Sequence, residues 1–64
     1  IMADKEVTIE NYKGILEYEN NIIRLNTTMG IVAIEGEDLD ISSITDTDIA
    51  LSGRVVKTEL DFQR

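Results

Sequence analysis

Residues 56–62, VKTELDF, alternate between apolar or hydroxyl side chains and charged side chains along their whole length. Successive side chains of a β-strand point to opposite faces of a sheet, so the two sets would lie on opposite faces. The sets are Val56, Thr58, Leu60 and Phe62 on one face, against Lys57, Glu59 and Asp61 on the other. This period of two predicts a strand with one buried face.

The same alternation recurs through the rest of the chain, where the β-branched residues Ile, Val and Thr occupy 20 of 64 positions. Such residues favour strands. The remaining residues predicted to face inward are Val7 and Ile9, Leu16 and Tyr18, Ile23, Leu25 and Thr27, Val32 and Ile34, Leu39 and Ile41, and Ile49 and Leu51. Turn signals every ~8–12 residues favour antiparallel pairing of consecutive strands. The sequence therefore predicts an all-β fold, an antiparallel meander of about seven short strands forming a small barrel or a two-layer sandwich.

Two alternatives stay open within this prediction. Residues 39–44 fit neither strand nor helix period well, and extended structure is favoured there over a short helix. Gly36 and Gly53 each end an alternating run, about 17 residues apart. Such an echo is also typical of a β-roll or a solenoid-like stack, which is the alternative architecture.

Length and charge limit the function classes. Residues 1–64 make one all-β domain, and Ile1 before Met2 suggests a fragment that lacks an amino-terminal segment. The net charge of −7 argues against nucleic-acid partners and anionic membrane surfaces. No apolar run is long enough for direct membrane insertion. The absence of cysteine fits a cytoplasmic location.

The missing residue types also limit the chemistry. The chain has no Cys and no His, so it offers no thiolate or imidazole metal ligand and no Ser-His or Cys-His nucleophile pair. We expect no catalytic residue, no cofactor and no metal site, and therefore no enzyme. The alternative is a calcium or small-ligand sensor that uses the acidic turns around 35–40 and 46–48. Neither segment has the glycine and glutamate spacing of the helix–loop–helix calcium site.

Five apolar residues have the wrong parity for their strands, and we predict that they form a surface for self-association or for a protein partner. They are Ile15, Ile22, Ile31, Ala33 and Val55. A half-solvated sheet would carry polar residues at such positions. The competing interpretation is a curl or bulge in the sheet that turns some of these side chains inward.

Four segments together resemble the YabP/YqfC family of sporulation proteins, and its YqfC branch in particular. They are residues 7–18, VTIENYKGILEY; residues 23–30, with the spacing I-x-L-x-T-x-x-G; residues 30–44, GIVAIEGEDLDISSI; and residues 48–62. Family members look longer at the amino terminus.

The resemblance implies a non-enzymatic structural or adaptor role in endospore formation in Firmicutes. It implies a location in the mother cell, at the forespore membrane through a membrane-protein partner of the sporulation pathway. It carries no catalytic residue or cofactor onto this sequence. Homo-oligomerisation is a further expectation, because a domain of this size buries little apolar surface by itself and is only marginally stable.

Overall fold

The computed structural model describes residues 5–62, with the side chains of residues 6–61, and this part of the chain contains five strands and no helix. The strands are β1 (Lys5–Glu10), β2 (Tyr12–Glu19), β3 (Ile22–Thr27), β4 (Gly30–Ile44) and β5 (Asp48–Phe62). They form one antiparallel sheet in the order β1-β5-β4-β3-β2. The predicted all-β class and the antiparallel meander of β2 to β5 are confirmed.

The prediction of seven strands is wrong, because two pairs of predicted strands are continuous. Each of β4 and β5 runs for 15 residues, passing through Gly36 and Gly53, where the sequence suggested a turn. Residues 39–44 belong to β4, as the extended interpretation predicted. The sheet is open, so the predicted barrel is not confirmed, and a stacked β-roll does not describe it.

Close backbone approach explains why glycine stands at 36 and 53. A Cβ on Gly36 would lie 2.0 Å from the backbone oxygen of Arg54, and one on Gly53 would lie 2.6 Å from that of Asp38. Gly53 also has φ +134°, a conformation that other residues rarely adopt. Register shifts between Glu35/Gly36 and between Glu37/Asp40 occur at the same level. Bulges of this kind bend a strand and increase its twist.

A single residue, Asn11, connects the two outermost strands of the sheet. It has φ 62° and joins β1 at one end of the sheet order to β2 at the other. The sheet must therefore curl until its two ends meet at this corner. Two bonds of Tyr12 fix the corner to the β4–β5 turn: its N–H donates to the Thr47 oxygen at 3.1 Å, and its hydroxyl donates to the Thr45 oxygen at 2.9 Å.

The curl encloses one core. Its buried apolar residues are Ile23, Leu25, Ile34, Leu39, Ile49 and Leu51, all of which the alternation placed inward. Thr27 is buried as well, and its hydroxyl donates to the Gly30 carbonyl oxygen at 2.7 Å. Its inward position is thus compatible with a polar side chain, because a buried hydroxyl needs a hydrogen-bond partner.

Five other residues predicted to face inward are exposed: Leu16, Tyr18, Val56, Thr58 and Leu60. Leu16 and Val56 have no directly paired residue at the register shifts in β2 and in the β4–β5 pair. Leu60 lies opposite Val32 on the core side of the sheet, but it is beyond the part that the curl covers. The burial of the Phe62 side chain lies outside the described residues.

Candidate interaction surface

An open depression of about 550 Å³ lies on the outer face of the sheet, over β3 and the first half of β4. Ile22, Ile31 and Ala33 line it and are half-buried; we call these three residues the outer-face cluster. The register explains why they share a face. Arg24 lies opposite Ala33, cross-strand partners point to the same side, and residues two apart on a strand do so too.

Acidic side chains surround the outer-face cluster. The other residues that line the depression are Glu17, Arg24, Glu35, Glu59, Leu60 and Asp61. The Arg24 guanidinium lies 3.7 Å from the Glu17 carboxylate, so the only cation of this lining is already paired. The depression thus combines an apolar floor with an excess of negative charge. This combination suits a ligand surface with an apolar centre and basic flanks.

The structure brings together three of the five residues that the sequence predicted as a surface. Val55 packs against the core instead, because the unpaired Val56 resets the alternation between Lys57 and Val55. Ile15 is 40% exposed, but it lies opposite the buried Leu25 and therefore on the core side of the sheet. The bulge interpretation was correct for Val55, so the five residues do not share one face; their role as an interaction surface stays a prediction.

The acidic rim was missed by the sequence analysis. Glu17 comes from β2 and Glu59 and Asp61 from β5, on either side of the cluster in the sheet order. Their outward parity was readable from the alternation. Which strands neighbour one another was not, since long-range pairing leaves no mark in a local period.

Comparison of the sequence with known families identifies this chain's relatives. The YabP family profile matches residues 1–63. The chain belongs to the YabP family. The match does not distinguish the YqfC branch, and a search of curated protein sequences finds no significant match.

The described acidic side chains of residues 35–40 and 46–48 in this YabP-family chain do not form a metal-binding group. Among the side chains that the structure describes, no three carboxylates are grouped so that they could hold a metal ion. Residues 35–40 lie within β4 and not in a turn. The turn after β4 is closed by its own bonds, since the Thr45 hydroxyl oxygen accepts from the Asp48 N–H at 3.0 Å.

One titratable group of the YabP-family fold is perturbed. The Tyr18 hydroxyl donates to an Asp40 carboxylate oxygen at 2.6 Å, which links β2 to the second half of β4. This hydrogen bond raises the pKa of Tyr18 above 10.0, because ionisation would remove the donor and place a phenolate beside a carboxylate. The link is exposed and lies away from the outer-face cluster.

No helix with the length and apolar character needed to cross a bilayer occurs within residues 5–62 of this YabP-family protein.

Proposed function

We propose that this YabP-family protein is a non-enzymatic structural or adaptor module that acts in endospore formation through protein–protein contacts. The family assignment supports the process. The outer-face cluster in its acidic depression is the single observation that supports the mode of action.

Sheet geometry and charge indicate the kind of partner. Ile22, Ile31 and Ala33 are half-buried on a sheet face with a floor suited to an apolar anchor, and the interface cores of protein complexes are built around such anchors. Because Glu35, Glu59 and Asp61 flank this floor, the partner presents an apolar side chain with Lys or Arg beside it. Complementary charges at the rim chiefly set the association rate and orientation.

A replacement of Ile31 by aspartate tests the proposal in a spore-forming host. The carboxylate would stand unpaired at the centre of the contact, so Ile31→Asp should lower the yield of heat-resistant spores about tenfold or more, as expected for loss of an anchor residue. The matched control is Thr8→Asp, because Thr8 is an exposed β1 residue and takes the same new charge. Both variants must reach the wild-type cellular level and show the wild-type far-ultraviolet dichroism.

A photoreactive amino acid at position 31 supplies the molecular readout. It should crosslink to one protein species in sporulating cells, while the same group at position 8 should not. The rim is tested with Glu35→Lys, which should reduce that crosslink, against Glu10→Lys at the exposed end of β1. Normal sporulation with the folded Ile31→Asp protein, together with no crosslink from the photoreactive group at position 31, would leave the contact without a function.

A further inference from the structure

The four carboxylates that line the depression are not equivalent. Two of them, Glu17 and Glu59, lie 3.7 and 3.5 Å from a basic side chain of the fold. Among the described residues, the other two, Glu35 and Asp61, take part in no ion pair. A basic partner therefore gains most at Glu35 and Asp61, where its charge does not compete with a described base.

The strand register places Glu35 and Asp61 at opposite ends of the depression. Glu35 follows Ala33 by two residues on β4, whereas Asp61 lies directly opposite Ile31 on β5. The two carboxylates are thus four residues apart along the strands, about 13 Å, and one strand apart across them, about 5 Å. The line that joins them runs at about 20° to the strands and passes beside Ala33.

Ala33 leaves an apolar hollow between these two charges. It has the smallest side chain of the lining, and the larger Arg24 and Glu59 lie opposite it on the neighbouring strands. Ile31, two residues earlier on β4, points to the same face. An apolar side chain that enters the hollow is removed from water, which is favourable by about 25 cal/mol per Å². The surface thus has three positions in a line: a carboxylate, an apolar hollow and a second carboxylate.

The spacing of the three positions matches an extended chain. In an extended segment every second side chain points to one side, so three such side chains span about 13 Å. Along one face of an α-helix the side chains recur once per turn of about 5.4 Å, and three of them span only about 11 Å. Stacked β-layers also keep their strand directions within about 30° of each other, and the line from Glu35 to Asp61 satisfies this.

We propose that the partner binds as an extended segment with the pattern basic–x–apolar–x–basic, lying across β4 and β5. Its apolar side chain fills the hollow over Ala33, and its two basic side chains pair with Glu35 and Asp61. This inference rests on the proposed function, because it names the binding element of the same partner. A second copy is not the occupant, since two such faces oppose acid to acid, and the bases of the sequence include no pair four residues apart.

Three synthetic peptides of one composition test the pattern with the purified, isotope-labelled chain, by NMR of its backbone amides at low ionic strength. SSKSLSKSS has the extended spacing, KSSLSSSKS has the helical spacing, and SSSKKLSSS has adjacent lysines. SSKSLSKSS should bind with a Kd at or below about 1 mM, shift the amides of residues 31–35 and 59–61, and bind about threefold or more tightly than the other two. Equal affinities overturn the pattern, and tighter binding of KSSLSSSKS overturns the extended geometry.

Charge exchange tests the contact of each lysine. Glu35→Lys and Asp61→Lys should each weaken SSKSLSKSS about threefold or more, because an attraction becomes a repulsion. The control Glu10→Lys adds the same charge on β1 and should have a smaller effect. Of the half-reversed peptides SSESLSKSS and SSKSLSESS, one should bind Glu35→Lys better than wild type, and the other should do so with Asp61→Lys. Rescue by neither peptide, or by both equally, overturns the two-point contact.

Failure of the pattern and failure of the proposed function are distinguishable. A crosslink from position 31 together with equal binding of the three peptides overturns the pattern and leaves the proposed function standing. Where a crosslink forms, mass spectrometry of the crosslinked stretch should find two basic residues four apart with an apolar residue midway, and a stretch without them overturns the pattern. Normal sporulation of Ile31→Asp without a crosslink overturns the proposed function itself, whatever the peptides do.

Discussion

The two halves of β5 have the same alternating pattern and opposite environments. In the first half, residues 48–53, Ile49 and Leu51 are each 1% exposed. In the second half, residues 54–62, Val56 and Leu60 are exposed. The first half lies between β1 and β4, under the curl, and among the described strands the second half pairs with β4 alone. Between bulges, alternation therefore predicts which way a side chain points, and tertiary curvature decides whether anything covers it.

Replacing Gly36, which allows β4 and β5 to approach closely between the two halves, should have the largest effect on the free energy of unfolding. In Gly36→Ala the new Cβ would lie 2.0 Å from the Arg54 backbone oxygen, and backbone on both strands would have to move. We expect a loss of about 3 kcal/mol or more in the free energy of unfolding, most of what a domain of this size has. Urea unfolding followed by far-ultraviolet dichroism measures it.

Gly14→Ala is the matched control, because a Cβ there meets nothing within 4 Å. It should be neutral or stabilise the fold by about 0.4–1 kcal/mol through the unfolded chain. Equal stability of the two variants would show that the close approach at Gly36 does not constrain the bend.

Truncation of one leucine in each half should give the next largest contrast. Leu51→Ala removes a side chain from the buried core and should cost about 2–5 kcal/mol. Leu60→Ala acts at an exposed position and should cost less than about 1 kcal/mol in the monomer. Urea unfolding at low protein concentration provides the comparison. A similar cost at both sites would mean that the second half is covered in solution.

The same contrast explains what could be predicted from the sequence. Period two correctly placed Ile23, Leu25 and Ile49 inward, because alternation is a local property of the backbone. It could not reveal that Gly36 and Gly53 lie within strands, since a glycine at a turn and a glycine at a close crossing read alike. The resulting bulge reversed the expected side of Val55.

For the candidate site, the alternation of side chains predicted part of the surface. Ile22, Ile31 and Ala33 could be assigned to one outer face, since β3 and β4 are consecutive and pair through a short turn. The position of β1 beside β5 could not be inferred, because it depends on the corner at Asn11. That pairing determines which half of β5 lies between two described strands.

The smallest effect concerns the hydrogen bond between Tyr18 and Asp40, which links β2 to the second half of β4. The pKa of Tyr18 is raised in the fold by its bond to Asp40, so the stabilisation from this bond is complete below pH 10.0, the ordinary value, and is lost as pH rises through the folded pKa. In Tyr12→Phe, Tyr18 is the sole tyrosine, and the absorbance of its phenolate should titrate with a midpoint above 10.0. Asp40→Asn in that background should lower the midpoint, because the carboxylate that opposes ionisation is gone. An unchanged midpoint would show that Tyr18 and Asp40 are not bonded in solution.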